Sequence, residues 1–174
     1  MINYFHRRFE RLVKRCELPE NTQTIDGLQS LMGLDAPAHA AGTYSISLTK
    51  HESFCILHIH YTHTTGFDLN TYNIIALPPD INSYIAEYLP SYITLSIRID
   101  YMPPYPFYPP VWGLVACDDR LMSSLPNAEE YYQYIITNHN NTNNTSWSPA
   151  IEISSDILQF ITRIHHFDSL FLAR

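Results

Sequence analysis

Glycine is scarce in this chain, at five residues in 174, and so is charge, at 16% of positions. So few glycines leave little room for flexible linkers, and no phosphate-cradling glycine loop is present. Cysteine is scarcer still. Cys16, Cys55 and Cys117 are too few and too irregularly spaced for a disulfide framework, which points to a reducing compartment, cytoplasmic or nuclear. No apolar run approaches the ~18 residues of a membrane-spanning helix. The first residues lack the basic-then-apolar order of a secretory signal. A formal charge of −7 argues against a nucleic-acid partner. Serine elbows and paired-carboxylate patterns are missing as well.

What is present is a chain stiffened by rings, with 13 tyrosines and 12 prolines. Apolar content of 45% over 174 residues suits one domain, residues 1–174, with a real hydrophobic core. Phe5, Phe9, Leu12, Val13 and Cys16 fall on one face of a helix within residues 1–18, closed by Pro19. Arg7, Arg8, Arg11, Lys14 and Arg15 crowd the rest of it, as a solvated face or as a basic docking face. Residues 26–34 have room for a helical turn or two.

A meander of strands follows. Tyr44, Ile46 and Leu48 alternate with Ser45, Ser47 and Thr49, and residues 54–61 and 72–77 read as further strands. Ile93, Leu95, Ile97 and Ile99 give the cleanest alternation in the chain, and 111–116 reads as an extended segment. A short helix is predicted over 81–89 and another over 131–137, the latter capped by Asn127. Residues 138–146 read as a polar, asparagine-rich loop. The Asn-x-Thr and Asn-x-Ser triplets at Asn140, Asn143 and Asn144 belong to that loop rather than to glycosylation. A final amphipathic helix carries Ile157, Phe160, Ile161, Ile164, Phe167 and Phe171, with Ser154 or Ser155 as its cap. Helix, antiparallel meander, proline-rich crossing and closing helix make an α+β arrangement.

Two segments say more than pattern. Tyr105-Pro106-Phe107-Tyr108-Pro109-Pro110 follows a strand, and Trp147-Ser148-Pro149-Ala150 precedes a helix. In that order they resemble the ubiquitin-conjugating (UBC-like) fold, over about residues 93–112 and 147–164. The resemblance implies an N-terminal helix (1–18), a four-stranded antiparallel meander with the proline loop (43–116), an atypical insert in the active-site region (117–146) and a long central helix (147–174). Tyr105, Pro106, Pro109, Pro110 and Trp147 are then scaffold. Phe107, Tyr108, Ser148, Pro149 and Ala150, with Arg7, Arg8 and Arg11 of the first helix, match the surface by which that family docks ubiquitin ligases.

The chemistry of the family is missing from its usual place. A conjugating enzyme needs an accessible thiol beside an oxyanion-stabilising asparagine. Leu125-Pro126-Asn127 is similar to a degenerate His-Pro-Asn, but the position eight residues before Trp147, where the family keeps its cysteine, is His139. We read that histidine as an exposed loop residue. No cysteine follows Asp118, and the two helices that active members add after the central helix are not matched.

The resemblance is therefore greatest to the catalytically inactive variants, which implies a non-catalytic binding module. Its partner would be ubiquitin or a ubiquitin-like protein, a ligase or an active conjugating enzyme. One alternative is an atypical enzyme using Cys117 with Asn127. Another is the same fold as a structural subunit of a larger assembly, including a viral one. No cofactor or metal is expected: His58, His60 and His63 read as packed or surface histidines, and His165-His166 project apart on a helix.

Overall fold

Alternation of apolar and polar side chains over four nine- or ten-residue segments dictates the centre of the structure. The computed structural model describes residues 4–31, 42–63, 92–119 and 128–172. Its strands β1 (Thr24–Ile25), β2 (Gly42–Lys50), β3 (Phe54–His63), β4 (Tyr92–Asp100) and β5 (Val111–Asp119) form an antiparallel sheet in that order. One face buries Ile46 and Leu48, Cys55, Leu57 and Ile59, Ile93, Leu95, Ile97 and Ile99, and Trp112. The other carries exposed Ser45, His58, His60 and Arg98. A bulge opposite Ser96 and Ile97 breaks the register of β5 and leaves Val115 exposed.

The sheet has five strands, not the expected four. The addition is β1, whose two residues are too short to show alternation; buried Ile25 opposite Leu48 fixes it to the edge of β2. The strand expected at 72–77 and the helix expected at 81–89 lie outside the described residues, and β3 pairs directly with β4.

Helix α1 (Tyr4–Arg15) packs Phe5, Phe9, Leu12 and Val13 into the core. It ends before Pro19, in a Schellman turn: Leu18 N–H donates to Val13 O (3.2 Å) and Glu17 N–H to Lys14 O (3.1 Å). Glu17 occupies the left-handed position, φ 54°, where glycine is the usual residue. A single turn, α2 (Leu28–Leu31), follows, within the 26–34 window read from the sequence.

The largest departure is α3 (Ala128–Ser146). Its 19 residues continue as helix through the stretch expected to be an asparagine-rich loop. Asparagine and threonine are weak helix formers, but tertiary burial overrides that preference here. Tyr132, Ile135, Ile136, His139 and Asn143 recur at helical spacing and are all buried. Thr137, Thr142, Thr145 and Ser146 direct their hydroxyls back to carbonyls one turn earlier, so they compete little with the helix. Asn127, the expected cap, lies outside the described residues.

Helix α4 (Ile153–Leu172) matches the expected closing helix, with Ile157, Phe160, Ile161 and Ile164 buried; the side chains of Phe167 and Phe171 are outside the description. Neither Ser154 nor Ser155 caps it. Asp156 N–H donates to Glu152 O (3.1 Å), so both serines already belong to the first turn. Residues of α1, α3 and α4 share one hydrophobic cluster with the inner face of the sheet. None of the helices among the described residues is long and apolar enough to cross a membrane.

Glu17 is exposed and its backbone is strained, so Glu17→Gly should stabilise the protein by about 0.5–1 kcal/mol. Chemical denaturation should show a higher midpoint at unchanged slope; a lower midpoint would refute the turn assignment.

Candidate docking surface and the polar ties beneath it

Prolines hold residues 101–110 in tight turns, with Tyr105 N–H donating to Met102 O (2.9 Å) and Phe107 N–H to Pro104 O (3.0 Å). Tyr101 enters this crossing stacked on Phe5, with centroids 4.5 Å apart, and meets Tyr105 edge-on at 5.0 Å. Tyr105 is buried, and its ring lies 6.2 Å from that of Trp147. Trp147 Nε1 donates to Pro106 O (2.8 Å). Tyr105 and Trp147 thus tie the proline turn to the Trp-Ser-Pro-Ala turn.

Arg8 completes the tie. It was expected on the docking face with Arg7 and Arg11, but only 7% of it is exposed. Its Nη1 donates to Tyr105 Oη (2.7 Å) and to Ile151 O (2.6 Å), and Nη2 donates to Pro149 O. The guanidinium also lies 5.1 Å from the Tyr105 ring centroid. One side chain thus joins α1, the proline turn and residues 149–151. The sequence did hold a signal: Arg8 is three residues after Phe5 and four before Leu12, at the margin of the buried stripe.

The remaining expected docking residues are exposed. Phe107 is 67% and Tyr108 65% exposed, with Ser148, Pro149 and Ala150 exposed on the turn that Trp147 and Arg8 hold against them. Arg7 and Arg11 are exposed on α1, and Arg11 forms a loose pair with Glu152 at 3.4 Å. Pro110 is buried and Pro109 half-buried, as scaffold requires.

Behind the surface lies a polar cluster that sequence reading missed. His139 is fully buried rather than an exposed loop residue, and Asp156 is 2% exposed. The Asp156 carboxylate accepts from His139 Nε2 (3.1 Å), Asn143 Nδ2 (3.0 Å) and Trp112 Nε1 (3.2 Å). His139 is also edge-on to Trp112 at 4.6 Å and to Phe160 at 5.2 Å. Next to His139 on α3, Asn140 pairs its amide with the backbone of Trp112, accepting from its N–H (3.0 Å) and donating to its carbonyl (2.9 Å). Asn140 thus acts as a one-residue strand against the edge of β5. Buried as it is, the His139–Asp156 pair ties α3, α4 and β5 together.

Cys117 sits on β5 opposite Leu95, half-buried against the core. Asn127, its expected partner, lies outside the described residues. Cys55 is wholly buried, and burial pushes its thiol up; burial also raises that of Cys16, against the pull of Arg15. His58 and His60 stand on the exposed face of β3, held by Ser96 Oγ (3.0 Å) and Thr94 Oγ1 (2.9 Å), and the described residues contain no three-membered metal-ligating group. His63 and His165-His166 have side chains outside the description.

No protein-family model matches the chain, and no curated protein or solved structure matches it either.

Removing either polar tie should be costly. Arg8→Met strands three acceptors and Asp156→Ala strands three buried donors, so each should lose about 2–4 kcal/mol in denaturant titrations. A loss below about 0.5 kcal/mol for both would show that the ties do not hold the fold.

Stability should also fall in alkali. Burial raises the phenol of Tyr101 well above its ordinary 10.0, and that of Tyr105 above the same value against the opposing pull of Arg8. The folded state therefore retains these protons longer than the unfolded chain. Their contribution is complete below about pH 9 and declines as pH climbs past the ordinary thiol and phenol values. Tyr101 Oη has no hydrogen-bond partner among the described residues, so Tyr101→Phe should be neutral or stabilising and should flatten the alkaline decline in melts between pH 8 and 11, a window set by ordinary thiol and phenol ionisation, about 8.5–10.

Proposed function

We propose that this chain is a non-catalytic UBC-like binding module that docks a protein partner of a ubiquitin or ubiquitin-like pathway. The docking surface is Phe107 and Tyr108 from the proline turn, Ser148, Pro149 and Ala150 from the following turn, and Arg7 and Arg11 of α1. Arg8 lies beneath it as a positioning residue.

One observation carries this reading. Two large aromatic side chains stand about two-thirds exposed on a turn whose backbone is fixed from below by Trp147 and Arg8. Exposed aromatics on a rigid support bind with little loss of side-chain freedom, which is how interface anchors gain their energy. The neighbouring cations favour a partner with acidic residues flanking an apolar cleft. The meander β2–β5, with the proline turn between its third and fourth strands, supports the UBC-like reading. The position eight residues before Trp147 supports the absence of thioester chemistry, because it is filled by an imidazole locked in the core.

The test is titration of isotope-labelled protein with ubiquitin, a ubiquitin-like protein, an active conjugating enzyme and a ligase domain in turn. Saturable amide shifts centred on residues 105–108 and 148–151 are expected with one of them. Phe107→Ala should weaken that complex by about 1–3 kcal/mol, without lowering the melting temperature. Arg11→Glu should weaken it too, and more at low salt. If no partner shifts these residues, the docking reading fails. A reductant-sensitive ubiquitin adduct, formed with activating enzyme and ATP and lost in Cys117→Ala, would instead establish an enzyme.

A further inference from the structure

On the side of α1 away from the sheet, a cleft of about 110 Å³ opens between this helix and the start of α4. By the volume of liquid water, that is room for about three or four molecules, or for one tetrahedral oxyanion. Its walls are Arg8, Arg11, Leu12 and Arg15 on α1, and Glu152, Ile153 and Ser154 at the head of α4. Three arginines and one glutamate line it, in a chain whose formal charge is −7.

The spacing is the reason. Positions 8, 11 and 15 fall within one strip of α1, so their side chains line the same cleft. Arg8 is already committed to Tyr105, Pro149 and Ile151 and contributes charge rather than a free donor. Arg15 is exposed, with planar donors matched to two oxygens of a phosphate. Arg11 holds Glu152 only at 3.4 Å, with 62% and 38% of the two side chains exposed, so this carboxylate occupies the cleft weakly. The opposite wall brings the half-buried Ser154, in the first turn of α4. Asp156, which would oppose an anion from the same turn, points inward to Trp112, His139 and Asn143.

We infer that this cleft binds the dianion of a phosphate monoester or free phosphate, with Arg15 and Arg11 as the principal ligands and Glu152 as the group displaced. The site shares Arg11 with the docking reading but needs neither Phe107 nor Tyr108, so Phe107→Ala and Arg15→Gln separate the two.

Calorimetric titration of the full chain with inorganic phosphate, at fixed ionic strength, tests it. Saturable one-to-one binding is expected, weakened about tenfold or more by Arg15→Gln. Lys14→Gln removes the same charge from the same helix outside the cleft and should leave binding intact. Glu152→Gln should strengthen it several-fold, an effect opposite in sign to any loss of folding. Repeating the titration with a phosphoserine peptide separates the sources: tighter binding than phosphate identifies a phosphorylated partner, and equal binding a free anion. Absence of saturable binding to the wild-type chain, or equal weakening by Arg15→Gln and Lys14→Gln, would overturn the assignment.

Discussion

Taking a guanidinium out of water costs several kcal/mol unless its N–H groups find acceptors, and Arg8 finds three on two separate turns. That requirement works in both directions. The charge is tolerable only if the proline turn and residues 149–151 stand where they do, and those turns, which make few sheet bonds of their own, are placed by the charge. Trp147 adds a second, parallel constraint through Pro106 O. Such ties select one arrangement of the two turns, and removing the guanidinium alone would strand the groups it satisfies. The exposed side chains above them inherit that fixity.

A second polar device acts at the other end of the closing helix's first turn. Asp156 gathers an indole, an imidazole and an amide from β5 and α3. Together with Asn140 against the Trp112 backbone, it explains why a stretch rich in asparagine and threonine is helical. The buried face of α3 is polar at His139 and Asn143, where a helix face is normally apolar. A pattern search for apolar periodicity therefore stops near residue 137, while the helix continues for more than two turns.

These two devices bear differently on function. The first underlies Phe107 and Tyr108: the turn that carries these exposed rings is tied from below by Trp147 and Arg8. The second places the imidazole of His139 in the core. Among the described residues Phe107 and Tyr108 are exposed, Cys55 is enclosed, and Cys16 and Cys117 are half-buried.

Local physics made much of the architecture legible. Period-two alternation over Ile93–Ile99 and its neighbours specified strands, and the stripe from Phe5 to Val13 specified α1, because a side chain's face is set by its own backbone geometry. Ring and proline placement likewise marked the turns at residues 101–110 and 147–150. What the chain alone left open were the roles of polar side chains: whether Arg8 faces solvent or the core, whether His139 is a loop residue or the middle of a network, and whether asparagines end a helix or extend it. Those outcomes depend on partners that lie about 100 to 140 positions away for Arg8 and 13 to 44 for the Asp156 cluster. Apolar burial is non-directional and can be read from periodicity, whereas a buried hydrogen bond exists only where a specific acceptor is brought to it, and that is decided by the packed whole.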